Sequence, residues 1–517
     1  MNKTVEIILK PSGKTAFVNA GKLTQSLVSS GISFSQDCGG LGICGQCKVR
    51  FVKYPPKPSD IDLTILTESQ IKNGFRLACS TIVNDGHIIE LETERDDRDL
   101  KFDKAIKANV LDPWSGNELI LAIDMGSTNI VGHLMNAITG ELVTSFSTAN
   151  SQAAFGADVM TRLAYASHGS AEGRNHLKQA VLGDLSTLVK TLEQLKIPIS
   201  DVVIVMNTAM EVLLLGQNPD NLGKHPYKSQ IDGPISLKLF DGECSLGDAT
   251  FHIPSIIGGY VGSDTVSAII AIEALAPKTP YVVLDLGTNA EIAAVTEEGV
   301  TACSTAAGSA FEGGNISFGM RGIEGAIEKI KITPSKIWCN VIGSGQARGI
   351  TGSGIFSTIG ELLRKDALDY FGVLIKRNLP HGCVAEKGDE KKLLLANGVF
   401  ITEGDIQQFL LAKASTRAGF DTLMEVCKID LDTIENVYVC GVFANKISPQ
   451  DIVSVGLVPV ENEKITMAGN AAGTGAAMMA CSQKVFNNAC DLAEKAVHLQ
   501  LSGHKLFNQR FTTGVHF

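Results

Sequence analysis

The sequence predicts a small α+β domain followed by a larger α/β domain that contains two copies of one core. Three observations support this prediction. Four cysteines and several glycines lie close to short strand patterns near the N-terminus. A charged run follows at residues 92–103. Beyond it, a strand that ends in an Asp-x-Gly turn occurs twice, at Asp124 and at Asp285, a spacing far longer than the ~20–50-residue units of a solenoid.

Length and charge limit the possible functions. A chain of 517 residues is too long for one hydrophobic core and is expected to form roughly three domains of ~150 residues. The formal charge of −10, without a basic cluster, argues against binding to nucleic acid. The sequence has neither an apolar leader nor an uncharged apolar stretch of about 18 residues, which argues against a membrane span. We therefore expect a soluble cytoplasmic protein.

Short periodic segments organise the N-terminal domain. Thr4–Leu9 and Thr15–Val18 alternate on either side of a Pro-Ser-Gly turn, which predicts a β-hairpin. A helix is expected at about residues 23–30, a strand at 48–52 and a helical turn at 68–72.

Four cysteines of this domain form a candidate metal site. Cys38, Cys44 and Cys47 lie in a glycine-rich loop, and Cys79 follows at a distance. Four thiolates are the ligands that a [2Fe–2S] cluster requires, and glycines let amide groups turn toward its sulfides. The Cys-x5-Cys-x2-Cys spacing differs by one residue from the plant-type pattern. A zinc ribbon or plain buried thiols are the alternatives, although a ribbon needs a second Cys-x2-Cys pair.

The charged run predicts a boundary, because no core can accommodate it. We place the first domain at residues 1–95, a linker at 96–117 and the remainder at 118–517. Trp114, in the linker, either docks the linker onto a neighbouring element or covers a local apolar patch.

The two Asp-x-Gly turns are candidate phosphate-binding loops. Small residues between two strands let backbone N–H groups approach phosphate oxygens. A carboxylate would repel phosphate, so Asp124 and Asp285 are expected to hold Mg²⁺ through water or to orient a nucleophile. Ordinary hairpins also use Asp and Gly, but a duplicated motif favours the phosphate interpretation. The candidate binding residues are Gly126, Ser127, Thr128 and Asn129 in the first turn, and Gly287, Thr288 and Asn289 in the second.

A third glycine-rich segment precedes a predicted helix at about residues 355–365. Gly352, Ser353 and Gly354 could form an anion site at the helix N-terminus. The alternative is a plain helix cap with a flexible turn.

These motifs resemble two known folds. The cysteine-containing segment resembles adrenodoxin-like β-grasp ferredoxins. The two turns resemble the phosphate loops of the ASKHA superfamily, which includes acetate kinase, sugar kinases, Hsp70 and actin. This resemblance implies an α+β β-grasp ferredoxin domain followed by a duplicated RNase H-like α/β domain, with lobes at about 118–279 and 280–517. It also implies that Gly441 and Asn445 contact adenosine, although Val442 replaces an expected second glycine.

The combination of domains resembles the reductive activators of corrinoid proteins. The segments Phe155–Val159, Asn207–Met210 and Ala306–Gly313 support this resemblance. It implies bound [2Fe–2S], ATP and Mg²⁺, and catalytic roles for Asp124, Asp285 and Glu312. The sequence leaves no room for a separate middle domain before Glu118, so the chain resembles a shorter version of the family.

In such a family, one electron passes from the cluster to cobalt(II) and regenerates the cobalt(I) needed for methyl transfer. The implied partners are a corrinoid protein of a methyltransferase system and an external electron donor, without nucleic acid or membrane. A homodimer is compatible with the sequence. Two alternatives remain: an ASKHA small-molecule kinase with a redox-sensing ferredoxin domain, and a sensor in which ATP only sets the conformation.

The cysteine assignment predicts two irons and two sulfides per chain. Substituting any ligand by Ala is expected to abolish or convert the cluster, as seen in the visible spectrum and by iron and sulfide analysis. Cys303→Ala and Cys440→Ala are the matched controls and should leave the cluster unchanged. A four-iron stoichiometry would contradict the assignment. The four ligands are Cys38, Cys44, Cys47 and Cys79.

Overall fold

The computed structural model describes residues 4–10, 15–29, 47–84, 87–92, 108, 111–114, 116–156, 158–168, 170–194, 199–225, 227–231, 233–241, 244–245, 249–343, 345–387, 390–441 and 444–517. The chain forms two compact units. The first comprises Met1–Pro254, Gly258–Gly262 and Ala476–Phe486, and the second comprises Ser255–Ile257, Ser263–Gly475 and Asn487–Phe517.

The N-terminal part of the first unit is a mixed sheet with helices. Its elements are β1 (Thr4–Lys10), β2 (Thr15–Asn19), β3 (Gly21–Lys22), α1 (Leu23–Ser29), β4 (Lys48–Lys53), α2 (Asp60–Ile65), α3 (Glu68–Lys72), β5 (Phe75–Leu77), β6 (Ile82–Val83) and β7 (Ile88–Glu92). The strand order is β2-β1-β7-β4-β5, with β1 and β7 parallel. Alternate residues such as Val5, Ile7 and Ile89 are fully buried, as expected for a sheet with one face on a core. The predicted hairpin, helix and helical turn are confirmed.

The rest of the first unit is built on a second sheet. Its elements are β8 (Leu119–Met125), β9 (Asn129–Asn136), β10 (Leu142–Ala149), α4 (Val159–His168), α5 (Ser170–Gln194), β11 (Asp201–Met206), α6 (Thr208–Leu214), β12 (Ile235–Leu237), β13 (Phe240–Asp241), β14 (Cys244–Ser245) and β15 (Thr250–Ile253). The strand order is β10-β9-β8-β11-β15-β12. Strands β8, β9 and β10 form an antiparallel meander, and β11 and β15 continue parallel to β8.

The second unit repeats this arrangement. Its elements are α7 (Ser263–Glu273), β16 (Tyr281–Leu286), β17 (Ala290–Thr296), β18 (Gly299–Thr305), β19 (Ala326–Ile332), β20 (Ile337–Val341), β21 (Gly349–Ile350), α8 (Gly352–Arg364), β22 (Val384–Lys387), β23 (Glu390–Leu394), β24 (Phe400–Thr402), α9 (Glu403–Val426), β25 (Asn436–Cys440), α10 (Pro449–Ser454), β26 (Ile465–Gly469), β27 (Val497–His498) and α13 (Lys505–Thr513). Helices α11 (Ala471–Cys481) and α12 (Gln483–Lys495) contribute residues to both units.

The strand order of the second unit is β26-β25-β16-β17-β18-β27. Strands β16, β17 and β18 form an antiparallel meander, and β25 and β26 continue parallel to β16. In both sheets the first strand is central, with the second and third strands on one side and the fourth and fifth on the other. The predicted duplication of an RNase H-like core is therefore confirmed.

Buried apolar strands support each core. Strands β8 and β16 are almost continuously apolar because both of their faces are covered. In the second unit, Phe311, Phe356 and Phe409 pack ring against ring within the main cluster. Among the described residues, none of the helices is long and apolar enough to cross a bilayer.

Trp114 anchors the end of the predicted linker within the first unit. Its indole stacks on His252 with ring centroids 3.8 Å apart, and its Nε1–H donates to the Met479 carbonyl at 3.3 Å. Asp112 accepts from the Ser482 hydroxyl and from the Lys484 N–H. Of the two possibilities from the sequence, docking onto a neighbouring element is the one observed.

Trp114→Ala is expected to destabilise the first unit by about 2 kcal/mol, because it removes a half-buried ring and its hydrogen bond. The thermal midpoint should fall by about 2–4 °C for a unit of this size. Trp338→Ala is the matched control, since that ring is 56% exposed. Equal shifts for the two variants would show that Trp114 does not anchor the linker.

Candidate nucleotide site and cluster site

The two described cysteines of the predicted cluster site lie side by side. Strands β4 and β5 pair through Lys48 and Leu77, so the residue before β4 and the turn after β5 meet. The Ala78 N–H donates to the Cys47 carbonyl at 2.8 Å, and both Cys47 and Cys79 are buried. Cys38 and Cys44 lie outside the described residues.

A buried carboxylate supports this part of the cluster site. Asp62 accepts from the Leu77 N–H at 2.8 Å, which fixes the end of β5 just before Cys79. Asp62 also closes a capping box with Ser59 at the start of α2. Two neighbouring buried thiols on a rigid turn fit the ligand set of a [2Fe–2S] cluster.

The two predicted catalytic aspartates occupy the same place in their cores but have different neighbours. Each is the penultimate residue of the central strand, in β8 and in β16. Asp124 is flanked in register by Val131 and Val205. Asp285 is instead flanked by Glu291 and Cys440. The two aspartates therefore differ in the residues that lie beside them on the neighbouring strands.

Glu312 contacts the second turn directly. Its Oε2 accepts from the Thr288 hydroxyl at 2.7 Å. Glu312 ends a short 3₁₀ helix, Ser309–Glu312, between Gly308 and Gly313, whose φ angles of 75° and 91° favour glycine. The structure thus brings together two of the predicted site residues, Thr288 and Glu312.

Two acidic residues near Asp285, Glu291 and Asp264, were not predicted from the sequence as site residues. Burial, together with the nearby carboxylates of Asp264 and Asp285, raises the pKa of Glu291 well above its ordinary value. Burial also raises the pKa of Asp264, although the hydrogen bond that Asp264 accepts from the Thr265 N–H acts to lower this pKa. The only sequence signal was a glutamate within the otherwise apolar strand β17. Such clustered, perturbed carboxylates are characteristic of functional sites.

Gly441 packs against the end of β16. A Cβ atom there would lie 3.1 Å from the Asp285 Oδ1 and would collide with the Leu286 carbonyl. Its φ of 113° also requires glycine, and its N–H donates to the Gly469 carbonyl at 3.0 Å. Asn445 lies beside Gly469. The predicted adenosine-binding residues are therefore grouped at the end of the central strand that carries Asp285, while Val442 lies outside the described residues.

The glycines of the third segment are placed differently from the prediction. Helix α8 begins at Gly352 rather than near residue 355, so Gly352, Ser353 and Gly354 form its buried first turn. The Thr351 hydroxyl caps this turn by accepting from the Gly354 N–H at 3.0 Å. A Cβ on Gly352 would collide with the Phe311 carbonyl. The start of α8 is therefore capped, and glycine at residue 352 allows α8 to pack against the segment that carries Glu312. The anion site at this helix start stays a prediction.

The first turn is held by an asparagine. Asn150 is fully buried, and its Nδ2 donates to the Gly126 carbonyl at 2.9 Å. Its backbone N–H donates to the Thr128 carbonyl at 3.0 Å. Ser127 and Asn129 complete a half-buried turn between β8 and β9.

The carboxylates around the second turn fit the requirements of Mg²⁺. Within the described ranges, there is no group of three or more His, Cys, Asp or Glu side chains that could hold a metal ion. Mg²⁺ does not need such a cage, because one or two carboxylates, water and substrate phosphates complete its octahedral shell. Asp285 would supply a carboxylate, and the ion would neutralise phosphate charge.

Comparison with known protein families matches three segments of the chain. A 2Fe-2S iron-sulfur cluster binding domain matches residues 7–84. The RACo middle region matches residues 119–275, and the C-terminal domain of RACo, the ASKHA domain, matches residues 279–517. The corrinoid activation enzyme RamQ of Eubacterium limosum is 31% identical over 423 residues, which cover 77% of this chain and 70% of RamQ.

The chain belongs to the corrinoid activation enzyme family. Another relative is the [Co(II) methylated amine-specific corrinoid protein] reductase of Methanosarcina barkeri, 27% identical over 52% of this chain and 51% of that protein. The chain thus spans about half the length of this second relative. A solved reductive activator for a corrinoid, iron-sulfur protein has the same fold, with a TM-score of 0.70 and 24% identity over 99% of this chain and 98% of that one.

One expectation about this corrinoid activation enzyme was wrong. The sequence left no room for a separate middle domain before Glu118 and so suggested a shorter version of the family, yet the middle-region model matches residues 119–275. This segment covers the strands and helices of the first RNase H-like core, from β8 through β15, and also α7 of the second unit. The middle region is therefore not an extra domain before the duplicated domain. It coincides with the first half of the duplicated domain.

The two Asp-x-Gly turns predict that each aspartate takes part in ATP hydrolysis. Asp285→Asn is expected to lower the rate of Mg²⁺-dependent ATP hydrolysis by at least about 100-fold, because phosphoryl transfer depends on metal-assisted charge neutralisation. Asp124→Asn should also lower the rate, because it removes the carboxylate of the matching turn. The cluster spectrum should be unchanged in both variants. Asp432→Asn, at an exposed position of the second unit, is the control, and full activity of Asp285→Asn would refute the site.

Proposed function

We propose that this chain is an ATP-dependent reductive activator of a corrinoid protein. It passes one electron from its [2Fe–2S] cluster to cobalt(II) and so regenerates cobalt(I) for methyl transfer. This proposal rests on one combination of features in a member of the corrinoid activation enzyme family. The chain has both a buried cysteine pair, Cys47 and Cys79, and a candidate phosphate loop with acidic residues at Asp285.

The N-terminal domain supplies the electron. When bound, a [2Fe–2S] cluster accepts and releases one electron at a time. Cys38, Cys44, Cys47 and Cys79 would ligate it, and Asp62 would keep the Cys79 turn in place. The electron comes from an external donor, and the corrinoid belongs to the partner protein.

The energetics explain why ATP is needed. Plant-type clusters have potentials near about −400 mV. The cobalt(II/I) couple is expected to be lower, and each ~59 mV of mismatch makes a one-electron transfer tenfold less favourable. A nucleotide can shift such an equilibrium only by binding two states with different affinity. We infer that the ATP-bound and ADP-bound forms differ in their affinity for the corrinoid protein.

The nucleotide site provides contacts that can distinguish bound ATP from bound ADP. The backbone of the second turn and the Thr288 hydroxyl would face the phosphates, with Mg²⁺ held through Asp285. Glu312, which accepts from Thr288, would orient the attacking water or report the loss of the terminal phosphate. Gly441 and Asn445 would contact the adenosine. This reaction would take place in the cytoplasm.

ATP hydrolysis is expected to rise several-fold when a cobalt(II) corrinoid protein is added, because the partner selects one nucleotide state. The measurement is phosphate release by the full chain with and without the corrinoid protein. Free cobalamin and a panel of sugars and short-chain carboxylic acids are the controls. Phosphorylation of one of these small molecules, with no response to the corrinoid protein, would support the kinase alternative and refute the proposal.

A further inference from the structure

The turn after Asp124 is hydrogen-bonded to the segment of residues 150–152. Asn150 donates to two carbonyls of the turn, those of Gly126 and Thr128, at 2.9 and 3.0 Å. In a trans peptide the C=O and the following N–H point in opposite directions. Fixing these two carbonyls toward Asn150 therefore directs the N–H groups of Ser127 and Asn129 away from it.

Asn150 is in turn held through its neighbour. The backbone N–H of Ser151 donates to Asp184 Oδ2 at 2.8 Å, and the Ser151 hydroxyl donates to Oδ1 at 2.6 Å. Both carboxylate oxygens thus accept from the same residue, and the two hydrogen bonds together fix the position of Ser151. Burial raises the pKa of Asp184 to about 7, against the two bonds from Ser151.

Helix α5 supplies both attachment points of this segment. Asp184 lies in α5, and the Leu177 carbonyl of the same helix accepts from the Gln152 Nε2 at 2.9 Å. Gln152 is fully buried, and its N–H donates to the Asn150 Oδ1 at 3.0 Å. A continuous hydrogen-bonded path therefore leads from α5 through Ser151 and Asn150 to the turn.

We propose that Asp184 is a positioning residue for the first phosphate loop. It does not contact the turn itself, but through Ser151 and Asn150 it sets the orientation of the Gly126 and Thr128 peptides. The inference rests on the proposed use of ATP by this chain and on the prediction from the sequence that the turn at Asp124 binds phosphate. The second turn is supported differently, since Glu312 contacts its Thr288 directly.

The test is steady-state ATP hydrolysis by the full chain carrying Asp184→Asn. This substitution keeps the side-chain size, removes the charge and replaces one of the two acceptors by an NH₂ group, so the Ser151 hydroxyl must change from donor to acceptor. The KM for Mg·ATP should rise about 10-fold while kcat changes by less than about 2-fold, as when binding is lost equally from the ground and transition states. Ser151→Ala should raise KM less, and the double variant should be no worse than Asp184→Asn, since the two residues act in one path.

Asp201→Asn is the matched control in the same unit. Asp201 accepts from His252 at 3.0 Å and from Ser200 at 2.7 Å, away from the turn. This control should lower the unfolding temperature and leave the KM unchanged. If Asp184→Asn behaves like the control, or if its effect multiplies with that of Ser151→Ala, the inference alone is overturned. A wild-type chain that neither binds nor hydrolyses ATP would overturn the proposed function, and this inference with it.

Discussion

The position of a carboxylate at the end of a buried strand is the constraint on which the rest of the nucleotide site depends. A central strand covered on both faces must be apolar along its length, so a charge is tolerated only where the strand leaves the core. β8 and β16 both follow this rule, with Asp124 and Asp285 as their penultimate residues. The glycine turn that follows brings backbone amides to the same edge, and elements distant in sequence then pack around it.

The duplicated core has two sheet edges that carry an aspartate and a glycine turn, and the residues around these two edges differ. Around Asp285, the cross-strand partner is Glu291, Thr288 is bound by Glu312, and Gly441 packs against the carboxylate. Around Asp124, the cross-strand partner is valine, and the turn is held by Asn150. The two edges therefore differ in the side chains that support their turns.

The sequence predicted the features that depend on local pattern and failed where tertiary packing decides. The duplicated strand and turn, the N-terminal hairpin and the helix from Glu68 to Lys72 follow from periodicity and turn residues, and they are confirmed. The start of helix α8 was placed about three residues too late, because the close approach of Gly352 to Phe311 depends on a contact about forty residues away. Glu291 and Asp184 looked like ordinary charged residues because burial and hydrogen-bond partners are not visible in a single sequence. The middle region was missed because it coincides with the first core.

The central claim is that ATP makes an otherwise unfavourable one-electron reduction proceed. It is tested most directly by the visible spectrum of a cobalt(II) corrinoid protein mixed with this chain and an excess of a reductant that reduces the cluster. The cobalt(I) spectrum should accumulate only with Mg·ATP, and neither Asp285→Asn nor Cys79→Ala should support it. Equal accumulation of cobalt(I) without ATP would contradict the account.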